Sequence, residues 1–349
     1  MTVTTERTNL VGRSAEEIAA ILGRYLDQPY RGRQVAHWVL ERDATSFAEM
    51  TSLPRVLRRQ LEEHFALRDP EVATVVAAPD GARKYLFRLV DGTTVEGVAI
   101  PDGPKLTLCL SSQAGCALGC TFCATGALGA GRNLTASEIV GQYRVMARTQ
   151  PEPPERINIV FMGMGEPLLN TAHLGSALDV LVTRISPKRI TVSTAGVIPG
   201  IRWLARLQRR PKLAVSLNAP DQERRALIMP IARRYPLLQL FAELGRFPLE
   251  SGRRITFEYV LLRGFNDTIA DADLLADLLR GLPSKVNLIP YNEDEGLLPG
   301  LHRPSVEAID AFAGRLHARA LTATVRWSRG AEVAAACGQL KGERPSGLP

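Results

Sequence analysis

The sequence predicts an α/β protein. Its main part is a partial (β/α)6 barrel over 106–327, preceded by a small helical domain over 1–70 and a β-hairpin extension over 71–105, and followed by a tail over 328–349. Three observations predict this. Six short apolar runs, at 106–110, 157–161, 189–193, 213–217, 255–261 and 285–289, alternate with helical stretches; that is the pattern of parallel strands joined by right-handed crossovers. Six units fall short of the eight of a closed barrel, so the barrel is expected to be open. Asp91-Gly92, between alternating runs at 84–89 and 94–100, is a favoured type I′ turn pair.

The helical domain opens at Ser14-Ala15-Glu16-Glu17, a capping box in which serine and Glu17 satisfy each other's free backbone N–H. Ile18, Ile21, Leu22, Tyr25 and Leu26 continue at helical spacing, and Pro29 is expected to stop that helix. Val35, Trp38 and Val39 predict a second helix. Leu53, Val56, Leu57 and Leu61 predict a third, with Arg55, Arg58 and Arg59 outward. Further along, a capping box at Thr135-x-x-Glu138 opens a helix over 135–148, and another is expected over 269–279. A last helix over 306–319 and a strand-like run over 322–327 lead into the tail.

Composition narrows the class. Lys+Arg number 43 and Asp+Glu 36, a net charge of +7. The excess is local: residues 202–254 hold 12 basic and 4 acidic residues, whereas 1–69 hold 10 of each. Such a segment would attract RNA phosphates, although arginines on outer helices also serve simply as a solvated face. A hydrophobic content of 45% excludes a mainly disordered chain. No apolar run nears the roughly 18 residues of a membrane span, and the first residues lack an apolar signal core. The expected location is the cytoplasm, with no membrane partner. Five cysteines, an odd number, argue against a disulfide-framed secreted scaffold.

Four of the five cysteines lie within fifteen residues, and Cys116, Cys120 and Cys123 form Cys-x3-Cys-x2-Cys after the first barrel strand. Three thiolates on a compact, glycine-rich loop suit an iron–sulfur cluster. A [4Fe–4S] cluster has four irons, so three ligands leave one open to an outside molecule. Structural zinc is the alternative, but it needs a fourth Cys or His; none stands at usual zinc spacing, and the nearest histidine in sequence is His173.

With that loop in place, the chain resembles the radical S-adenosylmethionine (SAM) enzymes, whose open iron binds the amino and carboxylate groups of SAM. Longer runs resemble the RlmN/Cfr family of rRNA adenine methyltransferases. They are Leu108-Cys109-Leu110-Ser111-Ser112-Gln113-Ala114-Gly115-Cys116, Arg132-Asn133-Leu134-Thr135, Phe161-Met162-Gly163-Met164-Gly165-Glu166-Pro167-Leu168-Leu169-Asn170, Asn287-Leu288-Ile289-Pro290-Tyr291-Asn292 and Ala335-Ala336-Cys337-Gly338-Gln339-Leu340. With Asn9-Leu10-Val11-Gly12 near the start, the resemblance covers nearly the whole chain.

The resemblance implies a two-stage methyl transfer. Cys116, Cys120 and Cys123 would hold the cluster. Cys337 would take a methyl group from one SAM, and a second SAM, cleaved reductively, would give a 5′-deoxyadenosyl radical that removes hydrogen from that methyl group. The detour suits the target: C2 and C8 of adenine are themselves electrophilic and cannot attack a methyl cation donor. Cys109 would then free the product by attacking the Cys337 sulfur. Glu96 matches the family's acidic residue near the target base; as an isolated residue it would read as an exposed strand glutamate. Gly165, Glu166, Ser193, Ser216, Leu217, Asn218 and Asn292 match SAM-binding positions, though each could instead cap a turn. The target adenine must leave its stack, so flippable RNA is expected.

The implied substrate is an adenine of 23S rRNA at C2, with tRNA as a further substrate; the Cfr branch, which methylates C8 and gives antibiotic resistance, is the alternative. An electron donor such as a flavodoxin and a monomeric state are expected. Three positions depart from the family pattern: Ala130 where Phe is usual, Asn218 where His is usual, and Glu332 where Asp is usual. Two rivals remain: a radical-SAM enzyme with another substrate, for which Cys109 and Cys337 would be dispensable, and a non-catalytic RNA-binding zinc protein.

Overall fold

The computed structural model describes residues 7–293 and 300–342. The first six residues, where no signal core was expected, and 343–349 of the expected tail lie outside the described residues. In chain order the N-terminal part contains β1 (Thr8–Asn9), α1 (Ala15–Leu22), α2 (Tyr30–Leu40), α3 (Arg55–His64) and β2 (Phe65–Ala66). The extension contains β3 (Glu71–Ala77), β4 (Arg83–Arg88) and β5 (Thr94–Asp102). The main part runs β6 (Lys105–Cys109), α4 (Ala124–Ala127), α5 (Ala136–Arg148), β7 (Arg156–Phe161), α6 (Thr171–Arg184), β8 (Ile190–Thr194), α7 (Ile198–Ala205) and β9 (Lys212–Ser216). It continues with α8 (Gln222–Ile228), α9 (Ile231–Arg234), α10 (Leu237–Leu244), β10 (Ile255–Leu261), α11 (Ile269–Leu278), β11 (Ser284–Pro290), α12 (Val306–Ala318) and β12 (Ala323–Val325).

Strands β6 to β12 pair in parallel in chain order, and β3 to β6 pair antiparallel, so one open sheet runs from β12 to β3. Neighbouring strands in chain order, joined by right-handed crossovers, carry their connecting helices on one face. The other face curls inward, and the C-terminal ends of β6 to β11 open at one edge, where such folds place their working residues. The six expected barrel strands are all present. The run at 322–327 supplies a seventh, β12, paired with β11 from Val286↔Ala323 to Leu288↔Val325.

Several local expectations are corrected. The first helix ends at Leu22, so Tyr25 and Leu26 lie beyond it, and Pro29 stands at the start of α2 instead of stopping α1. Val56 is 68% exposed. The buried stripe is Leu53, Leu57 and Leu61, at i, i+4 and i+8, and Val56 points about 100° away from it. The extension is a three-stranded meander rather than a lone hairpin, and it continues the barrel sheet through Val98↔Cys109.

The N-terminal helices are clamped to the barrel. Gly12 has φ +80, and a Cβ there would lie 2.5 Å from the Ser137 nitrogen of α5. Arg144 of α5 is buried and crosses the junction. It donates to Asp69 Oδ1 at 2.8 Å and to the carbonyls of Val39 and Ala44, both at 2.9 Å. Removing one member of a buried pair strands its partners. Arg144→Ala is therefore expected to lower stability by about 3 kcal/mol, at the low end because Arg148 also pairs with Asp69. A shift in the denaturant midpoint checks it, and an unchanged midpoint would contradict it.

Candidate active site

Cys109 is the last residue of β6, in register between Val98 and Val160. Burial pushes its thiol up, the nearby Cys337 adds to the rise, and the Met162 N–H opposes it. The first barrel strand and the tail thus bring the two thiols close enough for Cys109 to feel the charge of Cys337. Cys337 has solvent-accessible surface, yet burial raises its thiol to about 11, with Glu258 and Cys123 adding to the rise and Arg326 opposing it. Both thiols are free.

The tail is bonded to the strand ends and to the residues that follow the cysteine loop. Asn292 Nδ2 donates to the Cys337 carbonyl at 3.1 Å, and Ala124, one residue past Cys123, donates its N–H to Gly338 O at 2.7 Å. Glu96 on β5 is buried, unlike the exposed strand glutamate that its isolated position would suggest. Its Oε1 meets Lys84 Nζ at 3.0 Å. Its Oε2 accepts the N–H groups of Lys341 at 2.8 Å and Gly342 at 3.2 Å.

The three-cysteine loop hangs from a closed neck. Leu134 N–H donates to Ser112 O at 3.0 Å, Ala114 N–H to Arg132 O at 2.9 Å, and Cys116 N–H to Gly129 O at 2.8 Å. Glycines allow that approach: Gly115 has φ +126, and a Cβ on Gly131 would lie 1.6 Å from Ala114 O. Arg132 braces the neck with a two-toothed pair to Glu138 at 2.9 and 2.7 Å and a 2.6 Å contact to Asp91 in the hairpin turn. Ala130, where the family has Phe, lies in this neck and is exposed.

Burial raises Cys116 to about 11, and Cys123 and Glu166 add to it while the Leu118 N–H opposes. Burial also raises Cys120, with Cys123, Cys116 and Glu166 adding and Arg225 opposing. The loop thiols and Glu166 thus share one electrostatic environment. Among the described residues no three Cys, His, Asp or Glu side chains gather tightly enough for a single metal ion. A zinc ion needs all its ligands within about 2.3 Å of one centre, whereas a cluster takes one thiolate at each of several iron corners. The donor set fits a cluster.

The remaining expected residues lie at the strand ends. Glu166 follows β7 and is buried; burial raises its carboxyl to about 7 against the lowering contacts of Ala195, Thr194 and Leu168. Ala195 N–H donates to Oε2 at 2.7 Å and Leu168 N–H to Oε1 at 3.0 Å. Gly165, with φ +91, packs on protein: a Cβ there would lie 2.4 Å from Gln113 Cβ, so this glycine is required by the contact between the two loops. Ser193 is buried near the end of β8, and Ser216 ends β9. Leu217 is buried and its N–H donates to Glu258 O. Asn218 has φ +59, a region Asn tolerates. Its Oδ1 accepts from Val260 N–H at 2.9 Å and its Nδ2 contacts Met229 Sδ, so the side chain is held by protein. Asn292 keeps a buried Oδ1 without a partner, an acceptor open to a ligand.

Two residues escaped the sequence reading. Glu258, on β10, is a carboxylate in a buried strand. Burial raises it to about 7, against Asn287, whose Nδ2 donates to it at 2.9 Å, and against Arg326 and Lys285. A lone acid in an otherwise apolar run was the available signal. Arg225 had none, since it lies in a run of charged residues. The basic segment is largely spent inside the molecule: Arg202 pairs with Glu243, Arg253 with Glu250, and Arg224 with Asp221 and Asp271, while Arg210 holds the carbonyls of Ala205 and Pro248.

Comparison with known proteins accords with this geometry. The model of the radical SAM superfamily matches residues 110–276, and that of the ribosomal RNA large subunit methyltransferase N-terminal domain matches 8–67. The dual-specificity RNA methyltransferase RlmN of Anaeromyxobacter dehalogenans (strain 2CP-C) is 47% identical over 96% of this chain and 92% of its own. That of Geobacter sulfurreducens is 48% identical over 97% and 94%. The crystal structure of a radical SAM methyltransferase from Sphaerobacter thermophilus superposes with a TM-score of 0.91 at 43% identity, over 96% of this chain and all of that one. Among the described residues no helix is long and apolar enough to cross a membrane.

Proposed function

Because the chain belongs to the RlmN family of radical-SAM RNA methyltransferases, we propose that it methylates C2 of an adenine in 23S rRNA, and an adenine of tRNA as well. The family's cofactors are a [4Fe–4S] cluster and SAM. The carrying observation is that the tail is bonded beside the three-cysteine loop: Ala124, next to Cys123, donates its N–H to the carbonyl of Gly338, next to Cys337, at 2.7 Å. The dual specificity in the relatives' names supports the second substrate.

Cys116, Cys120 and Cys123 would hold the cluster, which supplies the electron for reductive cleavage of SAM. Gly165, Glu166, Ser193, Ser216, Leu217, Asn218 and Asn292 would surround SAM, with the open Asn292 Oδ1 and the buried Glu166 carboxyl as acceptors and Asn218 acting through its backbone. Cys337 would carry the methyl group: its sulfur, losing the thiol proton, would bond to the methyl carbon as that carbon's bond to the SAM sulfonium breaks and S-adenosylhomocysteine leaves with the electron pair, and the high thiol pKa makes loss of the proton a step needing help. After the carbon has joined the adenine, the Cys109 sulfur attacks that of Cys337. The S–S bond would form as the S–C bond breaks, the carbon leaving with the electron pair and taking up a proton to become the product methyl group, and an outside thiol would reduce the disulfide for the next round. Glu96 would meet the base edge and take a proton. The N-terminal helices would dock RNA, a flavodoxin-class protein would supply electrons, and the chain would act as a monomer in the cytoplasm.

Anaerobic reconstitution with iron, sulfide, SAM and an rRNA fragment, followed by nucleoside mass spectrometry, tests the reading. The expected product is 2-methyladenosine. The 8-methyl isomer would move the chain to the Cfr-type reaction, and a colourless, zinc-loaded protein would reject the cluster.

A further inference from the structure

We propose that Arg225 is the counter-charge of the three-cysteine loop, a positioning residue whose guanidinium favours the reduced state of the cluster and sets its potential. The inference rests on the cluster reading of that loop.

Arg225 sits on α8 and is fully buried. Its hydrogen bonds go to neutral carbonyls at the ends of two strands: Nε to Leu217 O at 3.2 Å, Nη2 to Ala195 O at 2.7 Å and to Ser216 O at 3.2 Å. Nη1 has no partner. Among the described residues no carboxylate lies within ion-pair distance of it. The adjacent Arg224 offers the contrast, with Asp221 at 2.5 Å and Asp271 at 2.6 Å. The nearest candidate acid is kept apart: the Ala195 peptide gives its N–H to Glu166 and its carbonyl to Arg225. A buried ion without an opposite charge is expensive, so a fold that keeps one implies an anion not supplied by its carboxylates.

The anion is at hand. Thr121, between Cys120 and Cys123, donates its N–H to Ile228 O at 3.0 Å and fastens the cysteine loop to α8. Cys120 packs in the same small apolar cluster as Ala195, whose carbonyl accepts from Arg225. Gly196, with φ +103, leaves room for the guanidinium: a Cβ there would lie 3.3 Å from Nη2. Three thiolates outweigh the charge of an oxidised [4Fe–4S] core, so the bound cluster is anionic and gains one further negative charge on reduction. A fixed buried cation favours the state with more negative charge.

The test compares Arg225→Gln, which removes the charge but keeps a donor, with Arg225→Lys, which keeps the charge but loses the fork. Each protein is reconstituted anaerobically, its iron and sulfide are assayed, and its cluster is titrated with dithionite and followed by electron paramagnetic resonance. At a fixed ambient potential Arg225→Gln is expected to lower the reduced-to-oxidised ratio at least tenfold, a fall of about 59 mV for one electron. Arg225→Lys is expected to stay within a few-fold of the parent. If the Gln variant takes up no iron while the Lys variant does, the charge is needed for assembly and the proposal stands. A Gln variant with the parent's potential overturns it, as does equal loss of iron in both, or loss in the Lys variant alone, since those outcomes make Arg225 a scaffold. A parent protein that binds no iron overturns the cluster reading itself.

Discussion

Cys109→Ala is expected to stop turnover after a single event and to leave RNA joined to Cys337. The Cys109 thiol, which feels the charge of Cys337, is the proposed attacker of its sulfur; without it the S–C bond has no partner for exchange. Product yield then falls from many per chain to at most one, and the RNA migrates with the protein under denaturing conditions. Cys337→Ala, alone or combined with Cys109→Ala, is expected to give neither adduct nor product. Iron content is expected to hold in every case, because neither residue is on the loop of Cys116, Cys120 and Cys123. Free methylated RNA in multiple equivalents from Cys109→Ala would refute the assigned role.

Gly131→Ala is expected to be the most damaging single methyl in the chain. The added carbon would sit 1.6 Å from Ala114 O, a backbone atom that is itself part of the neck below Cys116. The neck cannot yield without breaking the Ala114–Arg132 and Cys116–Gly129 bonds. A loss of about 4 kcal/mol is expected, in the range reserved for severe steric faults, with Tm lower by roughly 10 °C and most iron uptake gone. Gly129→Ala provides the control. Its φ is +79 but nothing lies within 4 Å of the new carbon, so only the left-handed backbone is penalised, by about 1–2 kcal/mol. Calorimetry with iron assay separates the two, and equal effects would refute the steric account.

The barrel strands were legible because parallel strands, covered on both faces, read as mainly apolar runs, and all six did, with only isolated polar residues such as Asn158 and Glu258 within them. The strand Glu71–Ala77 was not legible: six of its seven residues are exposed, so no buried face marks its sequence. The pairing of Thr8–Asn9 with Phe65–Ala66 is too short to leave a pattern. In the site, Cys-x3-Cys-x2-Cys was legible because ligand spacing is local. The pairing of Cys109 with Cys337 is not local, and only the family resemblance joined them. Arg225 was illegible for a sharper reason. Arg224 and Arg225 are neighbours of the same type on one helix, and a rotation of about 100° puts one among carboxylates and the other inside the fold. The reason for Asn218 also emerged only in three dimensions, from its positive φ and its bond to Val260.

Glu96 has one oxygen on Lys84 and the other on the peptides of Lys341 and Gly342. The end of the chain is thus a tethered competitor for that carboxylate. Its effective concentration is fixed by the length of the tether and cannot be diluted. Any incoming group that needs Glu96 must displace a rival tied to the same chain, so apparent affinity at this carboxylate is the intrinsic affinity scaled by the fraction of time the tail is away.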